Sequence, residues 1–145
     1  MTILNPLTIP RGDVRYVRQL QEVECLSGDS VGDVVYVRGD ATAGGIWKVG
    51  QATNLDRAKM PAVGILVSKI TATEGVIRRI GAVEGVFSSL DVTKQVFVGE
   101  DGQITQTAPI PALNEKVWVQ KLGFAIASDV LWLTGEIGQI LTRRG

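Results

Sequence analysis

The chain has 145 residues, 45% of them hydrophobic, and its 15 Lys and Arg balance its 15 Asp and Glu. This length fits one domain, or two small subdomains that share a core, and the balanced charge provides no global field that would draw the protein to nucleic acid or anionic lipid. Because there is no histidine and only one cysteine, serine–histidine and cysteine–histidine catalytic pairs, an intrachain disulfide and a CxxC motif are all excluded.

Residues 1–24 are predicted to form an extended N-terminal arm. Prolines alternate there with apolar side chains, and the residue before a proline favours an extended backbone. An apolar arm of this kind lies either on its own domain or on a neighbouring subunit, and the sequence leaves both open. The predicted contact residues of this arm are Ile3, Leu4, Pro6, Leu7, Ile9, Pro10 and Arg11.

The start of the chain also bears on targeting. Residues 1–7 lack the basic region and long apolar stretch of a signal peptide, and no apolar run approaches the roughly 20 residues needed to cross a bilayer. We therefore expect a protein made in a cytoplasm, without secretion and without a membrane partner.

Residues 25–134 are predicted to form an all-β domain, a small barrel or sandwich, because short Val- and Ile-rich runs alternate with glycine turns. Residues 54–60 have helical composition, but Pro61 limits them to a loop with one helical turn. Cys25 follows an apolar/polar alternation and is predicted to be a half-buried thiol rather than a reactive one. The predicted strands are 34–37, 46–49, 63–70, 76–80, 83–87, 95–98, 103–107, 117–122, 124–127 and 130–133.

The strand pattern occurs twice. In each copy a strand leads through a tight turn to a second strand, then through a polar loop to a strand interrupted by one glycine. Gly64 follows Tyr36 by 28 positions and Gly123 follows Phe97 by 26, so the copies run nearly in register. Each copy alone is too small to bury a core, and we expect the two to share one.

Two further features of the domain concern possible ligands. Gly99-Glu100-Asp101-Gly102 supplies the positive φ angles of a tight hairpin but lacks the ligand spacing of a calcium loop, so no metal and no cofactor is predicted. Trp47, Trp118 and Trp132 each lie inside a β-rich run. Core packing, with the indole N–H bonded to a carbonyl, is the favoured interpretation over a ligand platform.

Residues 135–145 are predicted to be a C-terminal extension. Its apolar pair and the two arginines that follow are candidate partner contacts, with docking on the same chain as the open alternative. These residues are Ile140, Leu141, Arg143 and Arg144.

Four segments after Cys25 carry a family resemblance: residues 30–37, 60–69, 95–109 and 119–128. Together they look like the small β modules of tailed-bacteriophage virion proteins, in which a hairpin ending in a Thr-x-Thr-x-Pro pattern is followed by a Val-Gln-x-x-Gly strand. The resemblance covers about residues 25–134. The segments resemble the β modules of capsid decoration proteins, head fibres and tail fibres equally.

Within that class, a short chain with apolar arms and no repetitive shaft favours a capsid decoration, or cement, protein. The resemblance implies a virion location on the capsid surface, a homotrimer, the major capsid protein as partner and no chemistry. The alternative is a receptor- or glycan-binding module of a phage head or tail fibre, which would expose a tryptophan. An enzyme is the weakest hypothesis, because the carboxylates of Glu84, Asp91, Glu100 and Asp101 fall in turns without a partner constellation.

Overall fold

The computed structural model describes residues 20–111, 116–135 and 139–142, and they form an all-β protein with a single short helix. The helix is one 3-10 turn, Arg57–Lys59, as the sequence predicted. The strands are β1 Leu20–Glu24, β2 Val34–Gly39, β3 Trp47–Gln51, β4 Ala62–Lys69, β5 Glu74–Arg78, β6 Gly81–Glu84, β7 Gln95–Val98, β8 Ile104–Thr105, β9 Lys116–Val119, β10 Lys121–Ala127, β11 Val130–Leu133 and β12 Gln139–Thr142.

Two of the predicted strands, β7 and β11, have the expected bounds, and most others differ by a few residues at the ends. The predicted strand 117–122 is divided between β9 and β10, because Gln120 belongs to neither strand. β1 and β12 were not predicted. The strand β1 lies within the predicted N-terminal arm and β12 within the predicted C-terminal extension.

Most strands belong to one of two sheets. Five strands close into a barrel in the order β1-β3-β2-β4-β5, and five more form an open sheet in the order β6-β11-β10-β7-β8. The remaining strands, β9 and β12, form an antiparallel ribbon. No helix in the described part of the chain is long and apolar enough to cross a membrane.

The duplication predicted from the sequence is present in the topology. Starting from the hairpin, the barrel runs β3-β2-β4-β5-β1, and the open sheet runs β8-β7-β10-β11-β6. Each strand therefore has a counterpart in the other sheet, in the same order along the chain once the β9 insertion is set aside.

The register repeats as closely as the strand order. Gly64 pairs with Val35 and Gly123 pairs with Val96, at corresponding places in the two sheets. In both sheets the register shifts just before the glycine and again two residues after it, so the bulges also correspond. Matching bulges indicate one structural unit used twice, since a bulge re-aims the side chains of its strand at a fixed place.

The two copies differ in closure. In the barrel, β1 pairs in parallel with β3 through Val23 opposite Trp47 and Glu24 opposite Lys48, and this pairing joins the two ends of the sheet. The counterparts β6 and β8 stand at opposite edges of the open sheet and do not pair.

One core joins the two copies, as expected. Its larger cluster takes Val34 and Ile65 from the barrel and Val96, Leu131 and Leu133 from the open sheet. The barrel interior holds a second, smaller cluster, formed by Val23, Cys25, Val35, Val49, Leu66 and Ile77. Because the larger cluster draws on both sheets, neither copy buries all of its apolar side chains alone.

The repeated glycines are required for close strand approach. A Cβ atom on Gly64 would come within 2.6 Å of the Arg78 carbonyl oxygen, and one on Gly123 would collide with the carbonyl oxygen of Trp132. We predict that Gly64→Ala and Gly123→Ala each lower the free energy of unfolding by about 3 kcal/mol or more, since both strands must shift. Urea denaturation monitored by tryptophan fluorescence measures the change.

Gly39→Ala is the matched control. Gly39 also lies in a strand, but a Cβ there has open space around it. This substitution should leave stability unchanged or raise it by roughly 0.5 kcal/mol, because alanine loses less backbone entropy on folding. Equal effects at all three glycines would contradict the close-approach explanation.

Candidate functional site

The outer surface of the open sheet carries a pair of exposed aromatic rings. Phe124 on β10 and Trp132 on β11 are directly opposite each other, and 40% and 41% of their surfaces are exposed. Ile126, two residues along β10, is 52% exposed. Leu131 and Leu133, on either side of Trp132 in the chain, are buried in the core. Because successive side chains of a strand point to opposite faces, Trp132 lies on the outer face. We call Phe124, Ile126 and Trp132 the aromatic face.

The residues beside the aromatic face leave it accessible. Trp132 is also opposite Ala82 on β6, and Phe124 is opposite Gln95 on β7, so a row crosses four strands. Because Ala82 is small and Gln95 is polar, the rings of Phe124 and Trp132 provide most of the apolar surface of this row. Paired residues in such a row have Cβ atoms about 5 Å apart, so one partner can contact both rings together.

The expectation that all three tryptophans pack in the core is wrong for Trp132. Trp47 is half-buried, with the Arg79 guanidinium 4.7 Å from its ring centroid. Trp118 is half-buried against the larger core cluster, but its indole N–H has no carbonyl partner among the described residues. The alternation of Leu131-Trp132-Leu133 was the signal in the sequence that could have placed Trp132 outside.

Cys25 is more deeply buried than predicted, with 1% of its surface exposed inside the barrel. Burial raises the pKa of its thiol, since the thiolate would lose solvation. A neutral, inaccessible thiol fits the structural interpretation of this cysteine rather than a reactive one.

The predicted partner residues fall largely outside the described part of the chain. This holds for Ile3, Leu4, Pro6, Leu7, Ile9, Pro10, Arg11, Arg143 and Arg144. Ile140 and Leu141 lie on β12, opposite Trp118 and Val117 of β9, so the described part of the C-terminal extension pairs with the same chain.

The four carboxylates considered for an enzyme are exposed and come from three places: Glu84 ends β6, Asp91 lies in the turn before β7, and Glu100 and Asp101 are adjacent in the hairpin after it. The Thr93 hydroxyl and backbone N–H donate to Asp91, which lowers the pKa of that carboxyl; the group caps a turn. Across the described residues, no three His, Cys, Asp or Glu side chains are grouped to hold a metal ion.

The two copies are joined by backbone hydrogen bonds at residues 52–54, which we call the joint. The Gly102 N–H donates to the Ala52 carbonyl at 2.7 Å, and the Asn54 N–H donates to the Gly99 carbonyl at 2.9 Å. The Val34 N–H in turn donates to the Gly102 carbonyl at 2.9 Å. The glycine hairpin of the second copy is thereby bonded to the barrel.

A buried side-chain amide adds a second connection. The Gln120 Nε2 donates to the Ala62 carbonyl at 2.9 Å, and the Gln120 Oε1 accepts from the Ala62 N–H at 2.8 Å. Gln120 is 3% exposed and its own carbonyl accepts from Val98 N–H. The amide thus replaces a neighbouring strand at the start of β4 and satisfies backbone groups that burial would otherwise leave unpaired.

Comparison of the chain with known proteins identified no relative. No family model, curated protein or solved structure matches the chain.

We predict that the buried hydrogen bonds of the Gln120 amide contribute more to the free energy of unfolding than equivalent bonds near the surface. Gln120→Leu removes both bonds and leaves the Ala62 N–H and carbonyl unpaired in the core. We expect a loss of about 2–4 kcal/mol in the free energy of unfolding, measured by urea denaturation.

Gln106→Leu is the matched control, since the Gln106 amide makes the same two bonds to the backbone of Asp91, at 2.9 and 2.8 Å, near the surface. Water can replace those bonds, so the loss there should stay below about 1 kcal/mol. Similar losses for the two variants would show that burial does not set the value of the Gln120 bonds.

Proposed function

We propose that the protein is a non-enzymatic structural protein of a tailed-phage virion, a capsid decoration protein that binds and stabilises the assembled head. Two lines support the proposal. The sequence resembles phage β modules over residues 25–134, and the fold is a duplicated all-β unit whose two copies share one core.

The observation that carries the proposal is the aromatic face. Phe124 and Trp132 are exposed on adjacent strands whose other faces belong to the core, so their positions are held before any partner arrives. Aromatic side chains bury a large area at a small cost in side-chain entropy, and they dominate the binding energy of protein interfaces. A rigid sheet that displays two of them is suited to adhesion.

The sequence predicted the partner contacts of a decoration protein on its terminal arms. The aromatic face supplies an apolar surface on the domain itself, and residues 1–13 of the arm lie outside the described residues. Under this proposal both contact the major capsid protein or a neighbouring copy, with the protein assembled as a homotrimer.

The effect on the capsid follows from linkage. A protein that binds the expanded shell and not its precursor stabilises the expanded state by its differential affinity. At a free concentration 100 times the dissociation constant, each occupied site contributes about 2.7 kcal/mol. Many sites on one shell sum to a large resistance against the pressure of packaged DNA.

The test is cosedimentation with expanded capsids that lack this protein. Full-length protein should bind saturably, at a fixed ratio to the major capsid protein. Removing residues 1–13, or the double change Phe124→Thr and Trp132→Thr, should weaken binding by about 30-fold or more, as expected when interface anchors worth about 2 kcal/mol are lost.

Val37→Thr is the control, since Val37 is a similarly exposed apolar residue on β2 of the barrel rather than on the open sheet. It should bind as the unaltered protein does. Absence of binding by the full-length protein would exclude the decoration role, and equal weakening by Val37→Thr would exclude a specific aromatic face.

One observation favours a second function, a glycan- or receptor-binding module of a head or tail fibre. That hypothesis required a tryptophan open to solvent, and Trp132 is 41% exposed beside Phe124. Sugar rings stack on such aromatic surfaces through their C–H faces.

Titration calorimetry with saccharides from the host cell surface tests this alternative. Saturable binding that is lost in Trp132→Ala and partly retained in Trp132→Phe would establish it, because phenylalanine keeps a stacking ring. Capsid binding without saccharide binding would exclude it.

A further inference from the structure

Two buried polar atoms near the joint have no hydrogen-bond partner among the described residues: the Asn54 Oδ1 and the Trp118 Nε1. Asn54 is 7% exposed, and its Nδ2 donates to the Val98 carbonyl at 3.2 Å. Unpaired buried polar atoms are rare in folded proteins, and each costs about 1–3 kcal/mol. One unpaired acceptor and one unpaired donor on residues that are close in the fold indicate a bound group that satisfies the two atoms.

The two residues line the same small cleft. Backbone bonding holds them side by side, since the Trp118 N–H donates to the Asn54 carbonyl at 3.0 Å. The cleft has a volume of about 90 Å³ and opens towards the surface between the joint and β9. Its lining residues are Asn54, Leu55, Arg57, Lys116, Val117 and Trp118.

The chemistry of the cleft selects its occupant. The Asn54 Oδ1 needs a donor, which an anion cannot supply, whereas the Trp118 N–H needs an acceptor, which a cation cannot supply. Turning the Asn54 amide around would set its oxygen against the Val98 carbonyl, so the orientation is determined by that bond. A hydroxyl group both donates and accepts, so it is the kind of group that satisfies Asn54 and Trp118 alike.

We propose that this cleft is a hydroxyl-binding site, formed by the Asn54 Oδ1 and the Trp118 indole N–H. A volume of about 90 Å³ corresponds to about three water molecules at roughly 30 Å³ each, or to the hydroxymethyl end of a polyol. The source of the hydroxyl is therefore water or a small polyol. The site is separate from the aromatic face and does not depend on the proposed function.

Nuclear magnetic resonance of the full-length protein tests the proposal. The three indole N–H signals are assigned with Trp47→Phe and Trp132→Phe, which leave Trp118 untouched. Trp118 should show a cross-peak to a bound water molecule, as expected for buried water that bonds to otherwise unpaired polar groups. The indole signals of Trp47 and Trp132 serve as controls within the same spectrum.

Glycerol then distinguishes the two sources. If the water cross-peak persists and glycerol leaves the Trp118 signal in place, the occupant is water. If glycerol shifts the Trp118 signal saturably while the other two indoles stay fixed, and the water cross-peak is lost, the site takes a polyol hydroxyl. Absence of both the cross-peak and a saturable shift overturns the proposal.

Discussion

The shared core is the constraint on which the rest of this structure depends. The barrel has only a small apolar cluster of its own, and the larger cluster is formed by both sheets, so each sheet depends on the other to bury its apolar side chains. The joint provides the hydrogen bonds that this packing requires. At Ala52 and Asn54 the backbone of the barrel bonds to the glycine hairpin of the second copy, and Gln120 satisfies Ala62 at the start of β4, before the pairing of β4 with β5 begins at Ile65. Burial of the core and pairing of the backbone are thus achieved by the same few residues.

The two copies have one strand order but end differently. In the barrel, the edge strands β1 and β3 pair with each other and close the sheet. In the second copy β6 and β8 stay apart, and the hairpin before β8 is bonded to the barrel, with Gly102 donating to Ala52 and accepting from Val34. This hairpin therefore connects the copies, while the outer surface of the open sheet carries the aromatic face.

The local parts of this structure could be predicted from the sequence, and the non-local parts could not. β7, β11 and the hairpin at Asp101 and Gly102 depend on alternation and on positive φ angles, which are properties of short segments. β1 was missed because its place depends on parallel pairing with β3, 24 positions away, and on antiparallel pairing with β5, 50 to 58 positions away. The Gln120 amide was missed for the same reason, since its partner Ala62 is 58 positions distant. Trp132 was misplaced although its flanking leucines carried the necessary signal.

The position of Trp132 and Phe124 has an energetic consequence for any partner. Their exposed surface costs the folded chain little, because those rings would be exposed in the unfolded chain as well, yet covering them gains about 25 cal/mol for each Å² removed from water. The strands that carry them are fixed from behind by Leu131 and Leu133, so binding need not order the backbone first. This saving applies to a repeated site on a shell and to a saccharide alike, so the proposed decoration role rests on the sequence resemblance together with the rigidity of the aromatic face.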